Sequence, residues 1–278
     1  MKNILKIMLM MITIFTIAGS AVYAAEIPVS DQDQLITSND WTEISNLQDE
    51  MKKEEPDATI DYDKALKVYV DCNLIKLQTA DTKKLTSALE SANYVWVIPF
   101  KMEKTYGMFT VAKGLPLREE AKSVLTKAEQ EEVKNHAGKW MITETAEHTV
   151  EPYYDILLEK REALSDCTRV VLVGSQPGMR QPVALGMDDE TARIWISLGY
   201  QYPVMEKIPE TQNVESGVYS FDSVAEISDT YIEDSEVSTG AGVQSRSSMK
   251  YVAGIGIVLI GSILILSVLK KKKIKSED

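Results

Sequence analysis

The chain has 278 residues, 42 acidic against 30 basic, for a formal charge of −12. Two histidines and two cysteines are too few for the ligand clusters of a zinc site, and no cofactor-binding motif occurs. The acidic balance argues against nucleic acid as a partner.

The N-terminus reads "MKNILKIMLMMITIFTIAGSAVYAAE". Lys2 and Lys6 precede an apolar run from Ile7 to Ala18, and "VYA" offers small residues to a signal peptidase. Residues 1–24 therefore read as a signal peptide cleaved after Ala24, with an uncleaved anchor as the alternative. The next signal is Asp40 with Glu43 three residues on, a capping box followed by an apolar stripe of Trp41, Ile44, Leu47 and Met51. "ALKVYVDCNLIKL", residues 65–77, reads as a strand, and Asp81 caps a helix carrying Leu85, Ala88, Leu89 and Ala92 on one face. "YVWVIPFKMEKTYGMFTVAKG" gives two strands about a turn.

Residues 116–135 read as helical, broken by a second capping box at Thr126 and Glu129 and stopped by Gly138. "KWMITET" is a strand, and Pro152 opens a helix with Ile156, Leu157 and Leu164 inward. "VVLVGSQPGMRQPVALG", residues 170–186, places a serine in a glycine- and proline-rich loop. It is neither a phosphate cradle nor a nucleophile elbow, because no helix follows and GxSxG is absent. Pro177-Gly178 suits the centre of a type II turn, which makes the stretch a hairpin. A third strand, "TARIWISLG", follows.

These elements predict an α+β class of antiparallel hairpins layered with helices over residues 25–205. The order strand, helix, hairpin occurs twice, which divides the domain into two βαββ-like halves, 40–138 and 139–205. A helix followed by three antiparallel strands resembles extracellular PAS-like or Cache-like sensor domains in element order, with no shared motif.

Residues 206–250 are acidic and serine-rich and read as a spacer, with "GVYSFDSVAEI" able to add an edge strand. "IPETQ" within it resembles a sortase sorting pentapeptide but lies some forty residues before the next apolar segment. That segment, Tyr251 to Leu269, holds 19 uncharged residues, enough to span roughly 29 Å as a helix. Five lysines in residues 270–278 hold the tail in the cytoplasm. The expected protein is thus single-pass at the plasma membrane, with residues 25–250 outside. Residues 25–249 alone carry 22 basic and 40 acidic side chains, a charge of −18.

Cys72 and Cys167 both fall outside the cell, where one disulfide between them would contribute about 4–5 kcal/mol by chain entropy. Equally, Cys72 fits a buried apolar position in phase with Val68 and Val70. A Ser-His-Asp set of Ser175, His148 and Asp155 lacks any local signature. The most suggestive surface is aromatic: Trp195 and Arg193 share a strand face, Tyr200 and Tyr202 follow, and Arg180 sits at the neighbouring turn. A helix lying over Trp195 is the competing expectation. The sequence reading is a tethered extracytoplasmic binding or protein-interaction module on a bacterial surface, non-catalytic and without cofactor, suited to a sensor or an envelope complex. An envelope hydrolase acting on wall polymer or peptide and a structural surface protein are the alternatives.

Overall fold

The structure, a computed structural model, describes residues 27–228 except Thr149, Ser175, Pro177, Gly178, Arg180, Gln201, Thr211 and Gln212. The expected signal peptide, the span at 251–269 and the basic tail lie outside the described residues. Among the described residues no helix is long and apolar enough to cross a membrane.

The fold is α+β, with helices on a mixed, largely antiparallel sheet. Strands β1 (Thr59–Ile60), β2 (Leu66–Tyr69), β3 (Tyr94–Lys101), β4 (Tyr106–Lys113), β5 (Trp140–His148), β6 (Arg169–Val173), β7 (Val183–Met187), β8 (Ala192–Ser197), β9 (Asn213–Glu215) and β10 (Val218–Ser220) form one sheet. Their order is β5-β4-β3-β2-β6-β7-β8-β10-β9, with β1 paired to β3. Two antiparallel meanders meet at β2 and β6, which run parallel through Val68↔Leu172 and Tyr69↔Val173. The βαββ halves expected at 40–138 and 139–205 are not the units of this sheet. β5 opens the second half in sequence, yet it pairs along its length with β4 of the first, because a strand that follows β4 closes most readily as its antiparallel neighbour.

Alternation along the strands divides the core. One face, here the front, carries Val171, Val183, Leu185 and Trp195 at one end and Trp96, Ile98, Phe109 and Val111 at the other. The back carries Val68, Val170, Leu172, Ile194 and Ile196. On the front lie helices α1 (Trp41–Ile44) and α2 (Gln48–Glu54), which bury Ile44 and Met51, and α3 (Thr82–Glu90), which buries Leu85 and Leu89. Asp81 caps α3 as expected, its carboxylate accepting from the Lys84 amide. Asp40 does not cap α1. Its Oδ2 accepts instead from Tyr94 Oη at 2.8 Å and Trp96 Nε1 at 3.0 Å, since two partly buried donors of the sheet compete for the same carboxylate.

The strand expected over 65–77 ends at Tyr69, where Asp71 takes a positive φ of 52° and turns the chain away. The fold also continues past the expected boundary at 205. Val218 of β10 is buried against Ile196 of β8, and residues 221–228 form a further helix whose Phe221 and Val224 join the front core. An apolar pattern three or four residues long is too short to stand out from a polar spacer.

The N-terminal segment wedges between the two central strands. Val29 bridges Val170 in parallel and Gln34 bridges Leu66 in antiparallel fashion, while the Val170 amide donates to the Pro28 carbonyl. This carries Asp33 into the sheet's centre with a side chain 3% exposed. Its carboxylate accepts from Tyr69 Oη at 2.7 Å, Ser30 Oγ at 2.8 Å and Arg169 Nη2 at 3.0 Å. Lys67 Nζ lies 3.6 Å away. Removing one partner from such a group strands the rest without compensation. Asp33→Ala should therefore lower unfolding stability by about 3–5 kcal/mol in a urea titration, whereas a loss below roughly 1 kcal/mol, that of a surface pair, would contradict this account.

Candidate functional site

The sequence-derived aromatic surface does not exist as one surface. Trp195 is fully buried and stacks on Phe221, ring centroids 5.8 Å apart at 13°, under helix 221–228. The cover comes from residues read as spacer, which is why the exposed reading failed. Tyr202 is buried too, its hydroxyl donating to the Pro182 carbonyl. Arg193 is exposed and pairs with Asp188, a carboxylate already receiving the Glu190 and Thr191 amides. Tyr200 is half-buried, and Arg180 lies outside the described residues.

Cys72 and Cys167 are both free thiols. Cys72 packs against the front core and Cys167 belongs to the back core, so the sheet stands between them. Burial pushes each thiol up to about 11. With the two thiols free and on opposite faces, the disulfide reading is corrected, and the early turn at Asp71 also removes Cys72 from the strand face of Val68 that the alternative reading gave it.

Three places carry concentrated polar chemistry. The central charge cluster is the first. Lys67, its side chain 11% exposed, sits over the rings of Tyr94, Trp96 and Tyr69 at 4.6, 5.2 and 5.8 Å. Burial lowers its pKa against the opposing pull of Asp33. Arg169 Nε is buried without a partner. Both cations are committed to Asp33, and the cluster ties two strands and the N-terminal segment together. No local pattern hints at it, because Asp33, Lys67 and Arg169 converge through the parallel β2–β6 pairing.

The second place is on the back. Tyr200 Oη lies 3.1 Å from His148 Nδ1 and 3.4 Å from Tyr153 Oη. The Ser-His-Asp set is not assembled among the described residues, for Asp155 pairs instead with Lys64 at 2.8 Å and Ser175 is not described. Burial holds the His148 imidazole below its ordinary 6.5, with Glu144 opposing.

The third place is an arm between β4 and β5, made of α4 (Glu119–Lys122) and α5 (Lys127–His136). The predicted break at Thr126 is real: Thr126 and Glu129 form the full capping box. Gln130 Nε2 donates to the carbonyls of Lys122 and Leu125 and locks one helix to the other. At the base the Gly114 amide donates to Lys139 and the Gly138 amide to Gly114. Both glycines are required. A Cβ on Gly114 would stand 2.1 Å from the His136 carbonyl oxygen, and Gly138 has φ +74°. Between these fixed ends no described side chain of residues 115–137 is buried, and Leu115 and Val124 are 43% and 72% exposed. Residues 113–139 carry six basic and five acidic side chains, while the rest of 25–249 carries 16 and 35. The arm is thus a nearly neutral, apolar-tipped projection of a strongly acidic body.

A small cleft lies near the other end of the sheet, between the turn at 75–80 and helix 221–228, with a volume of about 240 Å3. Ile75, Ala80, Phe221 and Ala225 line it, and Asp222 and Glu226 add acidic groups. Neighbouring Leu77 is 44% exposed.

No family model, curated protein or solved structure matches the chain. The likeness to PAS-like and Cache-like domains therefore stays one of element order, and function has to be argued from the three places above. Among the described residues no group of histidine, cysteine and carboxylate side chains is placed to hold a metal ion.

Two measurements check these assignments. Thiol titration should find both cysteines unreactive in the native protein and two free thiols in non-reducing denaturant; recovery of none would restore the disulfide. The folded His148 pKa lies below the unfolded one, so the unfolded chain takes the proton first and stability falls as pH drops through 6.5. His148→Gln should lose less melting temperature between pH 7 and pH 5.5 than the parent, and an identical loss would count against the assignment.

Proposed function

We propose that the chain is a membrane-anchored, extracytoplasmic protein-interaction module, non-catalytic, that engages its partner through the arm at 115–137. The single observation that carries this reading is a helical hairpin, internally locked and rigidly based, that contributes no buried side chain to the body. Apolar side chains left exposed by their own chain, here Leu115 and Val124, mark a contact surface for another. The terminal segments support the setting: an N-terminal signal peptide and a charge-stopped apolar stretch at 251–269 are the pattern of a single-pass outward-facing protein.

The hydrogen bonds at the arm's base make its removal clean. Gly114 and Gly138 are already in contact, so a short turn joining them excises the arm and leaves the β4–β5 ladder intact. The excised full-length protein should melt within about 3 °C of the parent, since no described side chain of 115–137 is buried. Crosslinking in intact membranes should lose its main adduct. A melting temperature preserved beside an unchanged adduct pattern would overturn the assignment.

A further inference from the structure

The partner's chemistry can be taken further, on the reading that the arm is the contact element. We infer that the arm of one copy docks its tip into the cleft between residues 75–80 and helix 221–228 of a second copy, giving a head-to-tail chain of molecules.

Size and charge agree. The tip is the turn between α4 and α5, where Val124 stands 72% exposed with Lys122 before it and Lys127 after it. A single branched side chain flanked by two lysines is the knob, Lys122 also pairing with Glu119 of its own helix. The cleft has a volume of about 240 Å3, which holds one or two aliphatic side chains rather than a helix. Its lining is mixed: Gln78 and Thr79 stand with Ala80 and Ala225 over a buried floor of Ile75 and Phe221, and Asp222 and Glu226 stand beside them to meet the lysines. A body with 35 acidic against 16 basic side chains carries a net negative charge that opposes contact between copies, and the nearly neutral arm adds least to that repulsion.

One molecule does not fill its own cleft. The arm leaves from β4 and β5, whereas helix 221–228 covers Trp195 on β8. The intervening strands in the order β4-β3-β2-β6-β7-β8 separate the two by roughly 24 Å. With its base fixed by Gly114 and Gly138, the arm cannot fold back across that distance. The contact is therefore heterologous, using two different surfaces, and such contacts propagate unless a rotation closes them. A knob of this size gives a weak contact in dilute solution. Copies anchored side by side in one membrane raise their effective concentration, and the contact then becomes populated.

The test uses two differently tagged full-length proteins co-expressed in the same membrane, one Val124→Cys and the other Glu226→Cys. The native thiols are buried or half-buried, so oxidation reports on the introduced pair. Crosslinking should give a mixed dimer. Neither variant alone should crosslink to itself, and the double variant should give a ladder. Reversal of Lys122 and Lys127 to Glu should reduce the mixed dimer at least tenfold, and reversal of Asp222 and Glu226 to Lys in the other copy should restore it. Crosslinking of Val124→Cys to the exposed Lys104→Cys at equal yield would overturn the inference. Should the Val124–Glu226 crosslink fail to form while arm excision still removes an adduct with a different protein, this inference falls and the arm remains an interaction element. Should excision change nothing at all, both fall.

Discussion

The structure depends on one buried carboxylate. Two antiparallel meanders meet at β2 and β6, and their parallel pairing is short. Below that pairing the N-terminal segment enters, and Asp33 receives Tyr69, Ser30 and Arg169 with Lys67 close by. Two cations next to one another on a sheet face would repel without it. The desolvation of all three charges is offset only because each is paired or held against aromatic rings. An ion cluster of this kind adds little net stability over an apolar replacement, but it specifies which strand meets which. Here it ties residues 27–35 to both central strands.

From that centre the rest follows by layers. Front-face apolar side chains are covered in turn by α1 and α2, by α3 and by helix 221–228, and the back by α6 (Tyr153–Glu159) with the N-terminal segment. Loops far apart in sequence are tied across the front core by the buried Gln176. Its amide donates to the Cys72 and Gly174 carbonyls, and its oxygen accepts from the Leu74 amide. This gives the glycine- and proline-rich loop first suspected of chemistry a structural task. Buried Gln176 satisfies backbone groups of the turn that carries Ile75 to the cleft.

The body leaves few large apolar side chains exposed, Ile36, Leu77 and Val214, and the arm adds Leu115 and, most exposed of the five, Val124. The arm's capping box, its interhelical glutamine and its paired base glycines hold a shape that leaves Leu115 and Val124 exposed. Rigidity without burial has a physical consequence. The entropy of ordering the arm is met by local hydrogen bonds, so a contact made through its tip need not meet it again.

Much of the local structure was legible in the sequence. The Asp81 cap, the Thr126–Glu129 box, the hairpin of β3 and β4 and the alternation of Ile194, Trp195 and Ile196 all rest on interactions within a few residues, which spacing alone encodes. What the sequence by itself determined is therefore an α+β body with acidic charge and the patterning of each strand face. Only the tertiary structure decided that Trp195 is covered, that Cys72 and Cys167 lie on opposite faces, that Asp40 serves the sheet rather than its helix, and that β5 joins the first meander. Each of these depends on which strands are neighbours. At the centre, the β2–β6 pairing brings together Asp33, Lys67 and Arg169, which lie up to 136 positions apart and announce nothing in any local window.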